Sequence, residues 1–337
     1  MHYFLTGHTG FKGAWFIHFL KLQGHKVSGY SDLAASESLF ETTNSSELLE
    51  NDFRGDIRDL SSISKALEIA NPEILIHFAA QSLVLKSYLY PYDTFSVNVD
   101  GTRNVLEAAK RLMSLKAILI ITTDKVYRNM ERSSGYIETD VLGGYDPYST
   151  SKAMADLMVQ AFFNLKYPIP IGIARAGNVI GGGDICEQRL IPDIIRKLDE
   201  NSPLNLRNPE AVRPWQHVLD CLDAYHFMIR NLLETKQSNI WNVGPDLRDF
   251  QNVKTVVSNF LNVLNETLQI EHFPSNFHET NILQLNSDKL RVETNWKNKL
   301  NFDESIRWTA NWHKSVRSHQ LSPRQAVEKQ VCDYVKL

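Results

Sequence analysis

An acid and a base stand side by side at residues 124 and 125, directly after a run of apolar and β-branched residues. The stretch reads "ITTDKVYRN" over residues 121–129. The simplest interpretation is a surface ion pair at the end of a strand. The chemical interpretation is that Asp124 donates a proton and Lys125 accepts one, both serving one bound molecule. The surrounding sequence must decide between the two.

A tyrosine and a lysine in "YSTSK" form a second candidate pair. Tyr148 and Lys152 are four residues apart, so in a helix they share one face. A lysine near a tyrosine favours the phenolate, because a positive neighbour stabilises the charged form. A phenolate can accept the proton of a sugar hydroxyl while a hydride leaves for a nicotinamide. The alternative is coincidence, since composition alone yields such a spacing by chance.

Three glycines spaced three residues apart precede these pairs in "TGHTGFKG". Gly7, Gly10 and Gly13 directly follow a predicted strand and open a predicted helix, with Thr9 and Phe11 in the same turn. Such glycines permit the tight turn, a close approach of backbone to a pyrophosphate, and close packing of helix on strand. The turn predicts a dinucleotide site, and the alternative is an ordinary strand-to-helix turn.

The residues expected around the adenosine are less regular. Ser31 stands where a ribose-binding acid is expected, and Asp32 follows one residue later. A shift of one residue along a strand changes the face, so Asp32 is a candidate beside a solvated carboxylate. No arginine occurs at 31–36 to bind a 2′-phosphate, which favours NAD over NADP. In "GDIRD", which closes another strand, Asp56 and Ile57 are adenine candidates, or part of a plain turn.

Short apolar runs alternate with amphipathic stretches through the first half of the chain. This alternation predicts an α/β protein with a Rossmann-like, doubly wound parallel sheet and a smaller C-terminal substrate-binding lobe. The predicted domains are residues 1–177 for NAD binding, with 214–245 returning to them, and 178–213 with 246–337 for the lobe. The predicted strands are 2–6, 25–30, 73–79, 115–122 and 169–175, and the predicted helices are 12–23, 61–70, 94–112 and 149–165.

Bulk properties exclude several classes of protein. The chain has 337 residues, 43% of them hydrophobic, and a formal net charge of −3. No block of Lys and Arg suggests nucleic-acid binding, and no apolar run reaches membrane-spanning length. The N-terminal residues lack the pattern of a secretion signal. Three widely spaced cysteines fit neither a disulfide framework nor a zinc site. We expect a cytoplasmic protein without a metal.

Taken together, these motifs resemble the extended short-chain dehydrogenases/reductases that act on nucleotide sugars. Within that family the chain is most similar to the 4,6-dehydratases of the CDP-glucose group, which carry Asp–Lys where the dTDP-glucose group carries Asp–Glu. A weaker match extends to about residue 312. The main matching stretches are "GHTGFKG" (7–13), "SLFE" (38–41), "HFAAQSLV" (77–84), "TDKVY" (123–127), "LGGYDPYSTSK" (142–152), "RAGNVIGGGD" (175–184), "RLIPDI" (189–194), "RNPEAVRPWQHVLD" (207–220) and "WNVGP" (241–245).

The resemblance implies a redox-neutral loss of water. NAD⁺ takes hydride from carbon 4 of the hexose with Tyr148 as base, water leaves across carbons 5 and 6, and the hydride returns to carbon 6. Thr123 would hydrogen-bond the oxygen on carbon 4, and Asp124 would protonate the departing hydroxyl. Lys125 would remove the carbon-5 proton or, alternatively, stabilise the enolate while another group moves that proton.

The resemblance also implies which residues bind the two ligands. For the cofactor it adds small residues in "HFAAQ" and neighbouring polar groups, namely Ala79, Ala80, Gln81, Asn98 and Thr122. For a nucleotide-diphosphate sugar it implies Asn178, Arg189, Arg207, Arg213 and Gln216, with Arg213 the first choice for the diphosphate.

Two departures from the family pattern leave the substrate open. Ile185 stands where the family usually has Trp, and Arg128 replaces an acid. Another nucleotide, or another hexose or heptose, is therefore an alternative, as are a 4-epimerase and a non-catalytic NAD-binding regulator. The resemblance further implies a homodimer or homotetramer that pairs through helices 94–112 and 149–165.

Overall fold

A computed structural model describes residues 1–132, 134–165, 167–273 and 280–337. Thirteen strands and thirteen α-helices lie within these ranges. The strands are β1 (His2–Thr6), β2 (Lys26–Ser31), β3 (Asn51–Arg54), β4 (Ile74–His77), β5 (Ala117–Thr123), β6 (Ile171–Ala176), β7 (Val179–Ile180), β8 (Leu204–Leu206), β9 (Val212–Arg213), β10 (Gln216–His217), β11 (Asn239–Val243), β12 (Gln251–Asn252) and β13 (Ile270–His272).

The helices alternate with the strands through the first half and dominate the second. They are α1 (Phe11–Leu22), α2 (Leu39–Thr42), α3 (Leu60–Ala70), α4 (Val84–Leu89), α5 (Pro91–Phe95), α6 (Gly101–Ala109), α7 (Pro147–Asn164), α8 (Leu190–Asp199), α9 (Val218–Thr235), α10 (Val253–Leu264), α11 (Asp288–Thr294), α12 (Phe302–Arg317) and α13 (Pro323–Val335).

Seven parallel strands form the central sheet, in the order β11-β6-β5-β4-β1-β2-β3. The five predicted strands are β1, β2, β4, β5 and β6, and the predicted α/β doubly wound class is confirmed. The predicted helix over 94–112 starts earlier, at Pro91, and a π-helical turn at Ser96–Asp100 separates α5 from α6. The order of strands reverses between β1 and β4, which opens a crevice beyond their carboxyl ends.

Both faces of the sheet are covered by helices, which explains why its central strands are continuous apolar runs. Helices α1 and α9 cover one face, with Trp15, Phe16 and Tyr225 in the core. Helices α3, α6 and α7 cover the other face, with Leu67 and Val105 among the buried residues. The sheet thus holds the ends of β1, β4 and β5 rigidly beside one another.

A third apolar cluster lies outside the sheet, between β8 and the helices α8, α10 and α12. The last part of the chain is divided between this cluster and the sheet, because α11 contacts α9 and β11 while α13 contacts α1. The predicted domain boundaries stay a prediction. Among the described helices, none combines the length and the apolar character needed to cross a bilayer.

Candidate active site

A cleft of about 920 Å³ runs along the carboxyl ends of the central strands. One wall comes from the turns that follow β1, β4 and β5, and the other comes from the segments 176–193 and 204–215. Ligands of doubly wound proteins bind at this edge, where the strand order reverses. The cleft is large enough to accept two extended ligands end to end.

The glycine turn fits the pyrophosphate of a dinucleotide. Gly7 has a φ of +71°, and a Cβ there would lie 2.6 Å from the backbone nitrogen of Ala79. A Cβ on Gly13 would lie 2.6 Å from the carbonyl oxygen of Gly7. Helix α1 follows Gly10, and no described side chain caps its first amide groups. An uncapped helix start after a glycine turn attracts a phosphate, so these residues fit NAD.

The adenosine end of the cleft is lined by Thr9, Asp32, Asp56 and Ile57. A chain of hydroxyls joins the glycine turn to the end of β2, because Thr9 Oγ1 lies 2.7 Å from Ser31 Oγ, which donates to Asp32 Oδ1 at 3.2 Å. Asp56 accepts from Arg58 through Nε at 2.9 Å and through Nη2 at 2.5 Å, and these bonds lower the pKa of Asp56. Binding of the adenine amino group by Asp56 would therefore compete with Arg58.

Residues predicted from "HFAAQ" and its surroundings separate into two groups. Ala79, Ala80 and Thr122 line the cleft. Gln81 and Asn98 are not among its described lining residues. Asn98 is fully buried and holds the loop in place, since it accepts from the Gln81 amide at 2.9 Å and donates to the Gln81 carbonyl at 3.0 Å. The structure thus gives these two side chains a supporting position behind the wall.

Helix α7 presents Tyr148 and Lys152 to the cleft. The helix begins after Asp146, whose side chain accepts from the amide of Ser149, and has Pro147 in its first turn. Lys152 Nζ donates to the carbonyl of Ile121 at 2.8 Å. Burial lowers the pKa of Lys152 to about 8, helped by the Lys12 cation.

The surroundings of Tyr148 favour the neutral phenol. Burial raises the pKa of Tyr148 to about 12, and a hydrogen bond with Thr123 opposes the shift. A Tyr148 phenolate therefore needs stabilisation by nearby positive charge, and Lys152 stands one helical turn away to supply it.

The second pair lies at the end of β5, in a short 3₁₀ turn over Asp124–Val126. Thr123 Oγ1 donates to Asp124 Oδ1 at 2.9 Å and accepts from the amide of Lys125 at 3.3 Å. Burial raises the pKa of Asp124, and the Lys125 charge opposes the shift. The other carboxylate oxygen, Asp124 Oδ2, is buried without a hydrogen-bond partner among the described residues. Asp124 is thus suited to hold a proton, and Thr123, Asp124, Lys125 and Tyr148 line the same cleft.

Cations and amides line the part of the cleft beyond these pairs. Asn178, Arg189, Arg207 and Arg213 all belong to its wall. Arg189 donates to Asp184 Oδ2 at 2.9 Å and to Ser82 Oγ at 3.2 Å, so it connects the two walls. The fifth predicted residue of this group, Gln216, is buried and is not among the described lining residues.

Sequence reasoning missed one cation of this site. Lys12 lines the cleft and donates to the hydroxyl of Tyr225 at 3.2 Å. Its position inside the glycine turn, directly before Gly13, was the signal available in the sequence. Among the described residues, no group of His, Cys, Asp and Glu is arranged to hold a metal ion.

Comparisons with known proteins identify the family of this chain. Residues 3–244 match the NAD dependent epimerase/dehydratase family. The chain is 39% identical to the CDP-glucose 4,6-dehydratase of Salmonella typhimurium over 327 residues, which cover 93% of this chain and 90% of that protein. At 28% identity over 336 residues it matches a probable dTDP-glucose 4,6-dehydratase of Sinorhizobium fredii, with 93% of each covered.

Solved structures show the same fold. A dTDP-glucose 4,6-dehydratase from Bacillus anthracis in complex with NAD superposes with a TM-score of 0.81 at 24% identity, over 94% of this chain and 98% of that one. A UDP-glucose 4-epimerase from Thermus thermophilus in complex with NAD gives 0.80 at 24% identity, over 92% and 98%. From the family match, the 39% relative and the glycine cradle, this chain belongs to the NAD dependent epimerase/dehydratase family, with NAD as its cofactor.

Proposed function

We propose that this protein is a nucleotide-sugar 4,6-dehydratase that converts CDP-glucose to CDP-4-keto-6-deoxyglucose. The observation that carries the proposal is the placement of Asp124, Lys125 and Tyr148 in one cleft. An oxidoreductase or epimerase needs only the tyrosine as its acid–base group. A buried acid with a raised pKa and an adjacent amine supply the two further proton transfers that elimination of water requires. The 39% identical CDP-glucose 4,6-dehydratase supports the choice of substrate.

Tyr148, Lys152 and Thr123 act in the oxidation step. When NAD is bound, it accepts a hydride from carbon 4 of the sugar and later returns it to carbon 6. Tyr148 removes the proton of the 4-hydroxyl, and the Lys152 ammonium stabilises the resulting phenolate. The Thr123 hydroxyl hydrogen-bonds the oxygen on carbon 4 and polarises the ketone.

Asp124 and Lys125 act in the elimination step. The ketone at carbon 4 acidifies the proton on carbon 5. Lys125 removes that proton after its own ammonium proton has passed to the neighbouring Asp124 carboxylate. Burial raises the pKa of Asp124, which favours the protonated acid that donates to the departing 6-hydroxyl. After both proton transfers, Asp124 is a carboxylate and Lys125 is an ammonium. The net charge of the pair is therefore unchanged. The same pair then returns a proton to carbon 5.

The cations of the cleft wall support a binding site for the diphosphate. Arg213 and Arg189 bind the diphosphate, with Arg207 and Asn178 nearby in the same wall.

Two copies pair through α5–α6 and α7, where Tyr92 is 82% and Leu157 is 55% exposed in the single chain. The enzyme works in the cytoplasm, a reducing compartment suited to its three unpaired cysteines.

A panel of nucleotide sugars tests the proposal. The purified protein with NAD is incubated with CDP-, dTDP- and UDP-glucose, and each product is analysed by mass spectrometry. CDP-glucose should lose the mass of one water. An isomer of unchanged mass would instead indicate the 4-epimerase, and bound NAD without turnover of any substrate would indicate a regulator.

A further inference from the structure

An ion pair between Asp156 and Arg175 is buried behind the active site. Asp156 is 0% and Arg175 is 1% exposed. The guanidinium donates through Nε to Asp156 Oδ2 at 2.9 Å and through Nη2 to Oδ1 at 2.8 Å. Asp156 lies on α7, one helical turn after Lys152, and Arg175 lies in β6. The pair therefore joins the helix that carries the oxidation residues to the strand beside β5.

The same pair forms hydrogen bonds with both ends of the segment 122–127. Thr122 Oγ1 donates to Asp156 Oδ2 at 3.2 Å. At the other end, Arg175 Nη1 donates to the hydroxyl of Tyr127 at 2.9 Å, and that hydroxyl donates to Asn242 Oδ1 at 2.6 Å. We call Thr122 and Tyr127 the two anchors of this segment. Between them lie the residues proposed to bind the carbon-4 oxygen and to eliminate water, namely Thr123, Asp124 and Lys125.

Stability alone explains this network poorly. A buried ion pair is often no more stabilising than well-packed apolar residues of the same volume, because desolvation offsets the attraction. Geometry gives a stronger reason. The proposed reaction uses proton-transfer groups on two separate elements, α7 and the end of β5, and a misplacement of about 1 Å in such a site can cost about 10²-fold in rate.

We propose that Asp156 and Arg175 are positioning residues that hold Asp124 and Lys125 in register with Tyr148 and Lys152. This inference rests on the proposed dehydratase function. It adds the hydrogen-bond network that keeps the residues of the oxidation and elimination steps aligned. Loosening the Tyr127 anchor should displace the elimination pair while leaving Tyr148 and Lys152 on an undisturbed helix. Oxidation should then outrun elimination, and reduced cofactor should accumulate.

Tyr127→Phe is the main test, because it removes one hydroxyl that contacts Arg175 and Asn242 and keeps the ring. Tyr334→Phe is the matched control. Its hydroxyl is equally buried and donates to a carboxyl oxygen, Asp220 Oδ1, at 2.7 Å, but it lies on α13 and not among the described lining residues. NADH absorbance after mixing with CDP-glucose reports oxidation, and exchange of the carbon-5 proton in D₂O reports elimination.

We expect Tyr127→Phe to slow carbon-5 exchange about tenfold or more while oxidation changes less than about threefold. Tyr334→Phe should leave the ratio of the two rates at the wild-type value. An unchanged ratio in Tyr127→Phe, or an equal change in both variants, overturns the inference while the dehydratase proposal stands. Failure of the wild type to eliminate water overturns both.

Arg175→Lys keeps a cation beside Asp156 but is too short to reach Tyr127 as well, and should give the same imbalance. It serves as the second variant if Tyr127→Phe does not fold, with melting temperature as the check on folding. A wild-type ratio in folded Arg175→Lys also overturns the inference.

Discussion

Gly13→Ala tests how tightly the cofactor turn is packed. Gly13 has no positive φ, so alanine can adopt its backbone conformation and the effect is steric alone. The added Cβ would lie 2.6 Å from the carbonyl oxygen of Gly7 and 2.6 Å from the Cα of His8. Both neighbours are backbone atoms, which cannot turn away as a flexible side chain can.

The size of the effect follows from these distances. Ordinary contact begins at 3.4 Å, so the turn must open by about 0.8 Å to admit the methyl group. Such overpacking typically costs about 1–3 kcal/mol. Alanine gains up to about 1 kcal/mol over glycine as a helix former, which offsets part of the loss in stability. Binding should have no such compensation, because the turn that must open is the one predicted to bind the pyrophosphate. At about 1.4 kcal/mol per factor of ten, the Kd for NAD should rise about tenfold or more.

Titration with NADH, followed by fluorescence, measures this change. Gly244→Ala is the control, because its added Cβ would have no described neighbour closer than 3.5 Å and Gly244 is not among the described residues that line the cleft. The control should bind NADH as the wild type does. A wild-type Kd in folded Gly13→Ala would refute the assignment of this turn to the pyrophosphate.

Three further predictions concern the catalytic pairs and a buried acid. Tyr148→Phe should abolish oxidation, so no transient NADH should appear after mixing with CDP-glucose, and any burst would contradict its role as base. Lys125→Ala should still form NADH but block carbon-5 exchange with D₂O; normal exchange would remove Lys125 from the base role. Burial raises the pKa of Asp220 to about 7, so the folded state binds a proton that the unfolded state releases near pH 4. The stability of the wild type relative to Asp220→Asn, measured by urea unfolding, should therefore fall as the pH rises from about 4 to about 7 and level off above it, and a constant difference would contradict the raised pKa.

The central strands were predictable because both faces of each are covered, which leaves an unbroken apolar run in the sequence. The two edges of the sheet, β3 and β11, give weaker signals. In β3 half-buried and exposed residues alternate, but three of its four residues are polar or charged, so it has no apolar run. It is predicted only through the turn "GDIRD" that follows it. Strand β11 contains two asparagines, and no strand was predicted there, although "WNVGP" was among the stretches that match the family.

Within the site, the motifs predicted which residues lie near the cleft. They did not predict whether each side chain lines the cleft or packs behind its wall. Asn98 falls in the π-helical turn between α5 and α6, which shifts the helical phase and turns the side chain toward the loop at Gln81. Gln216 lies in a strand of only two residues, where periodicity carries no information. The cleft contacts predicted for these residues depend on local geometry that residue type does not encode.

The pairing of β11 with β6 and the packing of α13 on α1 also bear on how the chain is made. The ribosome releases β11 well after β6, and α13 long after α1. Until then the β6 edge and the apolar side of α1 lack these neighbours, and an unpaired strand edge with exposed apolar surface favours aggregation. Removal of α13 would leave the apolar side of α1 uncovered in the finished protein as well.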